Sequence, residues 1–292
     1  MSHASEEIAS QPACWRTAIE VAAGTPAGLP QPGERVAVIG CGTSWFVAQA
    51  YAVLRETAGQ GETDAFTASE FPLTRRYDRV MAISRSGTTT EILRALSQIG
   101  HVSKTAAITA VPGSPLRDLA DDVLTLEFAD EQSVVQTRFP TTLLTLLRAH
   151  LGEDVSALPA HAERALSVPL PEDADGFRQF TFLGSGWTLG LANEAALKVR
   201  EAAQAWAESY SGMEYRHGPI AIADIASLVW VFGDAPHGLL DEVRATGAHV
   251  EVSLLDPLAE LVRAHRLAIS LAARRGLDVD TPRNLTRSVI LT

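Results

Sequence analysis

The 292 residues carry a formal net charge of -11, a hydrophobic content of 46% and two cysteines. That length and apolar content suit one large core or two ordinary ones and exclude a disordered polymer. The acidity excludes general nucleic-acid binding, which needs basic surface to replace counterions. Cys14 and Cys41 lie far apart, without metal-ligand or disulfide-framework spacing, so neither a structural zinc nor a disulfide scaffold is expected.

In chain order, residues 1–11 are polar and acidic with no apolar signal-peptide core. No apolar run approaches the roughly 18 to 20 residues needed to cross a bilayer, so a reducing cytoplasm is the expected location. Strand-like and helix-like runs then alternate: strands over 36–39, 80–83, 106–109 and 123–127, helices over 46–58, 91–99 and 134–151. Alternation of this kind predicts an α/β fold with a parallel sheet covered by helices. Residues 152–175, rich in alanine, proline and charge, read as a linker holding one helix over 158–166. The pattern then restarts with a strand over 180–183 and a helix over 189–208, followed by strands over 228–232 and 250–254 and helices over 239–246 and 258–275. Gly184, Gly186 and Thr188 stand 144 positions after Gly40, Gly42 and Ser44, which marks an internal repeat of one α/β unit.

Two turns sit where ligands bind such sheets, at the carboxyl ends of strands: Gly40-Cys41-Gly42-Thr43-Ser44 and Ser84-Arg85-Ser86-Gly87-Thr88-Thr89. The start of a helix offers unpartnered N–H groups and the positive end of the macrodipole, so a hydroxyl-rich glycine turn at that place suits a phosphate. Alone, so short a motif is more often an ordinary helix cap. A dinucleotide fingerprint is not supported, because Trp45 stands where its third glycine would be. In the helix over 189–208, Glu194, Lys198 and Glu201 fall on one face at spacings of four and three. Alone, that pattern is most often a solvated stripe; here the other faces are dense in alanine and leucine, and the helix leaves directly from the Gly184-Ser185-Gly186 turn. His217, before Gly218-Pro219, is of the residue type best suited to shuttle a proton, although a lone histidine is more often structural. The polar stretch 278–288, followed by the strand-like 289–291, reads as an ordered tail.

Taken together these segments resemble the double SIS (sugar isomerase) family, which includes the isomerase half of glucosamine-6-phosphate synthase, the galactosamine-6-phosphate deaminase/isomerases and the fructosamine-6-phosphate deglycases. The resemblance rests on Glu7-Ile8 with Gln11-Pro12, the Gly40 to Ser44 turn, Ser84-x-Ser86-Gly87-x-Thr89, Ala196-Leu197-Lys198-x-x-Glu201, Glu214-x-x-His217-Gly218-Pro219 and Asp280-x-Pro282-Arg283-Asn284-Leu285, in family order along nearly the whole chain. It implies two tandem SIS domains, over 1–155 with the phosphate-binding loops and over 156–292 with the catalytic helix and tail. Each would be a mostly parallel, flavodoxin-like sheet in three αβα layers. It further implies that Ser44, Ser84, Ser86 and Thr89, with Gly42 and Thr43 in the first turn, hold a sugar 6-phosphate. Glu201 would move the proton between carbons 1 and 2, Lys198 would sit beside the ring oxygens, and His217, from the neighbouring subunit of a homodimer with composite sites, would open the ring. No metal and no cofactor is implied.

The departures also carry information. No segment resembles a glutaminase domain, so glutamine-dependent amination is not expected of this chain. Arg287 stands where the synthase has a lysine associated with imine chemistry, and a guanidinium with a pKa above about 12 does not supply a neutral amine; Arg287 is retained as a phosphosugar-binding candidate. Arg85 and Thr88 replace a glutamine and a glutamate of the synthase loop, and Arg85 adds a charge-assisted donor for phosphate. The stretch Glu131-Gln132-Ser133-Val134 is nearer the deaminase/isomerase branch. The expected function is an enzyme acting on an amino-sugar or ketose-amine 6-phosphate by proton abstraction at carbon 2, with deamination or deglycation. The alternatives are a dehydratase acting on an N-acetylhexosamine 6-phosphate and a non-catalytic phosphosugar sensor.

Overall fold

The computed structural model describes residues 2–100 and 102–291. The elements run α1 (His3–Ala23), β1 (Val36–Gly40), α2 (Thr43–Thr57), β2 (Thr63–Thr67), β3 (Arg79–Ile83), α3 (Thr90–Ile99), β4 (Lys104–Thr109), β5 (Asp122–Thr125), α4 (Arg138–His150), α5 (Leu158–Ser167), β6 (Gln179–Gly184), α6 (Thr188–Ala203), β7 (Trp206–Ser211), β8 (Ser227–Val231), α7 (Leu239–Ala245), β9 (His249–Glu251) and α8 (Pro257–Arg274). They form two compact units, each assembled from separated pieces of chain. One comprises Ala13–Gln132, Arg138–Ala157 and Thr286–Thr292; the other comprises Met1–Pro12, Ser133–Thr137 and Leu158–Leu285.

The first unit is built on a five-stranded sheet in the order β2-β1-β3-β4-β5, parallel throughout. β1 and β3 are buried along their whole length, as apolar runs covered on both faces must be. Ile39, Val80 and Ala82 pack with Ile92 and Leu96 of α3, while α2 lies against β1, β2 and α4. The strand order reverses between β1 and β3, so the crevice that such sheets offer to ligands opens at the carboxyl ends of these two strands.

The second unit repeats the plan with one outer strand fewer: β7-β6-β8-β9, again all parallel. α6 packs on β6, β7 and α8. The stretch expected to be a linker contains α5, which buries Leu158, Pro159, Ala162 and Ala165 and packs against α8, so its helix belongs to the unit's core.

Other expectations are corrected in the same way. The helix expected over 189–208 ends at Ala203, because Gln204 takes the left-handed conformation (φ 51°, ψ 36°), and the chain turns into β7. The helix expected from 134 starts at Arg138. Before it, Ser133 donates through its N–H and hydroxyl to the Glu7 carboxylate, and the Val134 N–H donates to the Asp280 carbonyl. Residues 289–291 are not a strand. α1, with Pro12 inside it, and the outer strands β2 and β7 were not expected.

Candidate active site

The turn after β1 is built by two glycines. A Cβ on Gly40 would lie 2.5 Å from the main-chain carbon of Ser44, so only glycine lets the strand end approach the first turn of α2. Gly42, at φ 53°, precedes that helix in a conformation L side chains avoid, and Thr43 and Ser44 follow it, buried, in the first turn. The thiol of Cys41 in this turn is pushed up to about 11, chiefly by burial and then by the neighbouring Glu91 carboxylate. Across the crevice of the same sheet, after β3, the 84–89 loop folds on itself. The Gly87 N–H donates to the Ser84 hydroxyl (3.2 Å), the Thr88 N–H and hydroxyl donate to the Ser86 hydroxyl (3.3 and 3.1 Å), and the Ser84 and Thr89 hydroxyls lie 3.4 Å apart. Gly87 has φ 67°, and a Cβ there would sit 2.4 Å from Ser114. Thr89 precedes α3 without making a side-chain cap. Its hydroxyl is not committed to the helix, as a simple capping turn would require.

Arg85, in this loop, has partners within the protein. It is 2% exposed, with its guanidinium 3.8 Å from the Glu131 carboxylate and donating to the carbonyl of Arg287 (3.0 Å). Glu131 in turn accepts from the Arg138 N–H at the start of α4 (2.7 Å). Arg287 donates to the Glu131 carbonyl and to the Asp130 carboxylate (2.5 Å). The tail that follows runs along the start of α3: Ser288 and Thr88 share a hydroxyl contact (2.8 Å), the Val289 carbonyl accepts from the Thr90 N–H (3.1 Å), and the Leu291 N–H donates to the Thr90 hydroxyl (2.9 Å). Arg85 and Arg287 therefore tie the loop to the 130–131 stretch and the tail.

In the second unit, α6 carries the charged trio. The Lys198 ammonium lies 2.5 Å from Glu201 and 3.4 Å from Glu194. The side chains of Lys198 and Glu194 are 1% and 3% exposed, whereas that of Glu201 is 20% exposed. This is a buried charge cluster with one carboxylate reaching the surface. Burial on this scale is costly unless charges are paired, which separates it from the ordinary solvated stripe. Behind it, His265 of α8 is fully buried, its Nε2 3.9 Å from Glu194, and Gln11 of α1 lies 3.5 Å from its Nδ1. Burial, followed by the Lys198 charge, holds this imidazole well below its ordinary pKa, so it is neutral.

His217 closes a short 3-10 turn (Glu214–His217) and is exposed. The turn is anchored by the buried Tyr215 and by Arg216, which donates to Glu242 and to the carbonyl of His237. Gly218, at φ 132°, lets the chain leave. Among the described residues, no group of three or more His, Cys, Asp or Glu is placed to hold a metal ion.

The SIS domain family model matches residues 31–150. This segment is a SIS domain. It contains β1 through α4 and both serine-bearing turns. The chain is also homologous to the isomerizing glutamine–fructose-6-phosphate aminotransferase of Gloeobacter violaceus, 30% identical over 97% of this chain and 58% of the relative. It spans a little over half the length of that relative. The structure of a glucosamine-6-phosphate deaminase from Thermotoga maritima superposes with a TM-score of 0.86 at 25% identity, covering 99% of this chain and 100% of the other. The C-terminal domain of a glucosamine-fructose-6-phosphate aminotransferase from Francisella tularensis shares the fold, with a TM-score of 0.83 at 21% identity over 97% and 98% of the two chains. The chain thus shares its α/β fold with these structures, and no helix among its described residues is long and apolar enough to cross a membrane.

Sequence reasoning had no access to Glu131 as the partner of Arg85, nor to Gln11 and His265 behind Lys198. Gln11 was visible only as part of the Gln11-Pro12 pair. A histidine at the centre of the apolar stripe of α8, between Leu261 and Leu267, was the available signal for His265.

Proposed function

We propose that this protein is an enzyme that binds an amino-sugar or ketose-amine 6-phosphate and abstracts a proton beside the carbonyl, at carbon 2 of an amino-sugar or carbon 1 of a ketose-amine. In this reading Ser84, Ser86 and Thr89, with Gly42, Thr43 and Ser44, hold the phosphate. Arg85 and Arg287 shape that loop from behind instead of meeting the anion. Glu201 is the base, Lys198 stabilises oxygen charge as the carbonyl becomes an enol, and His217 opens the ring. The second unit is a second SIS copy. The active form is a cytoplasmic homodimer in which His217 serves the neighbouring subunit, and the tandem domains divide near residue 155, with crossing segments at both ends.

For a free hexosamine the chemistry balances without a cofactor. Glu201 takes the carbon-2 proton as that electron pair forms a carbon 1–carbon 2 double bond, and the carbonyl oxygen on carbon 1 gains a proton. Return of a proton to carbon 1 leaves an iminium at carbon 2. Water hydrolyses it to the ketose and ammonia. No residue of the 286–288 stretch carries an amine for a Schiff base, since Arg287 is a guanidinium engaged with Asp130.

The observation that carries the reading is the buried ion pair of Lys198 and Glu201, with the carboxylate the more exposed partner. Hexosamine, N-acetylhexosamine and fructosamine 6-phosphates incubated in deuterated water, with products read by mass, test it. Loss of ammonia supports deamination, loss of water shifts the assignment to a dehydratase, and absence of deuterium in every sugar overturns an enzymatic role in favour of a sensor. Glu201→Gln is expected to keep sugar-phosphate binding while lowering exchange at carbon 2 by at least about a hundredfold; undiminished exchange removes Glu201 as the base.

A further inference from the structure

Among the described residues, Lys198 lies within ion-pair distance of two carboxylates. Glu201 reaches the surface, but as a base it must leave the ammonium it touches at 2.5 Å. That departure is feasible only if Lys198 keeps another counter-charge. Glu194, 3.4 Å away and 3% exposed, is placed to be that charge. A buried carboxylate tends to take up a proton unless donors hold it ionised. The group that faces it from α8 is His265, at 3.9 Å, too long for a hydrogen bond but within range of an N–H dipole.

The orientation of that dipole follows from α1. The side-chain amide nitrogen of Gln11 lies 3.5 Å from His265 Nδ1. An amide nitrogen only donates, so a neutral ring must accept at Nδ1 and carry its proton on Nε2, toward Glu194. The tautomer is thus a measurable consequence of this contact. Gln11 thereby acquires a part in the site, although it stands 254 residues from the histidine it orients.

We propose that His265 is a positioning residue: held by Gln11 as the neutral Nε2–H tautomer, it keeps Glu194 ionised against Lys198 and so frees Glu201 to exchange a proton with the substrate. The proposal rests on Lys198 and Glu201 being the proton-handling pair. It predicts that an Nε2-like donor at position 265 is required and that volume alone is not sufficient.

Two arms test it on the full chain. In the first, His265→Gln, whose amide nitrogen mimics Nε2, is compared with His265→Phe, which fills the space and donates nothing. With sugar-phosphate deuterium exchange as the readout, His265→Phe is expected to lower kcat about tenfold or more with KM within about threefold of wild type, and His265→Gln to restore most of the loss. Equal losses in both variants, full activity in a folded His265→Phe, or a change confined to KM overturns the proposal. The second arm needs no activity and no variant. Nitrogen-15 spectra of the imidazole of His265 in the wild-type protein should show a neutral ring protonated at Nε2 that stays neutral as the pH falls through the ordinary histidine range. A ring protonated at Nδ1, or one that charges near its ordinary pKa, overturns the proposal. If wild type exchanges none of the sugars, the catalytic reading fails and takes the positioning role with it, while the spectra still decide the tautomer.

Discussion

Gly40 closes β1 and Gly184 closes β6 at the same point of the same strand order. An added Cβ would lie 2.5 Å from a main-chain atom of Ser44 in the first case and 2.3 Å from one of Thr188 in the second. Two residues on, Gly42 and Gly186 sit at φ 53° and 56°. The next crevice loops part company. After β3 come Ser84, Ser86, Thr88 and Thr89 and a ten-residue helix; after β8 come Phe232-Gly233-Asp234-Ala235-Pro236-His237-Gly238, without a hydroxyl, and a seven-residue helix. The glycines are thus a demand of the fold, which both units meet; the hydroxyls, in the proposed function, answer to a phosphate and stand in one unit.

The largest expected effects test the shared part. Gly40→Ala and Gly184→Ala should each destabilise the protein by about 2 to 4 kcal/mol, since a methyl group would enter a neighbouring backbone. Urea midpoints measure this, and a silent Gly184→Ala beside a damaging Gly40→Ala would break the equivalence. The next effect sharpens the difference. Ser86→Ala should weaken sugar-phosphate binding about tenfold in titration calorimetry, one charge-assisted hydrogen bond's worth, whereas Ser185→Ala in the other turn should stay within about twofold; equal losses would count against a one-sided anion site. The smallest belongs to the tail. Arg287→Ala removes a one-third exposed pair with Asp130, worth up to about 1 kcal/mol. Its effect on sugar-phosphate affinity should shrink in high salt, and an effect as large as that of Ser86→Ala would place Arg287 on the phosphate itself.

How far this was legible in the sequence depended on where each residue's partners lie. β1, β3, β4, β6 and β8 are buried runs whose hydrophobicity marks them. β2 and β7 are outer strands, half-exposed, and Thr63–Thr67 or Trp206–Ser211 reads as nothing in particular without a neighbour to pair with. α1 was hidden by Pro12, which ordinarily ends a helix. The overrun of α6 turned on Gln204, a residue with no local signal for the left-handed conformation it adopts. The hydroxyl-bearing 84–89 loop and the trio of Glu194, Lys198 and Glu201 were readable because each lies within one short segment. Arg85 with Glu131, and Gln11 with His265, were not, because those pairs exist only once the chain has folded.

Cys41 sets the chemical durability of the first crevice. With its thiol pushed up to about 11 by burial and Glu91, roughly one molecule in ten thousand carries the nucleophilic thiolate at neutral pH. Sulfur chemistry proceeds through that form, so peroxide and alkylating reagents find little to attack at the mouth of the loop. The turn can hold a sulfur atom beside the proposed phosphate loop with little of it in the reactive thiolate form.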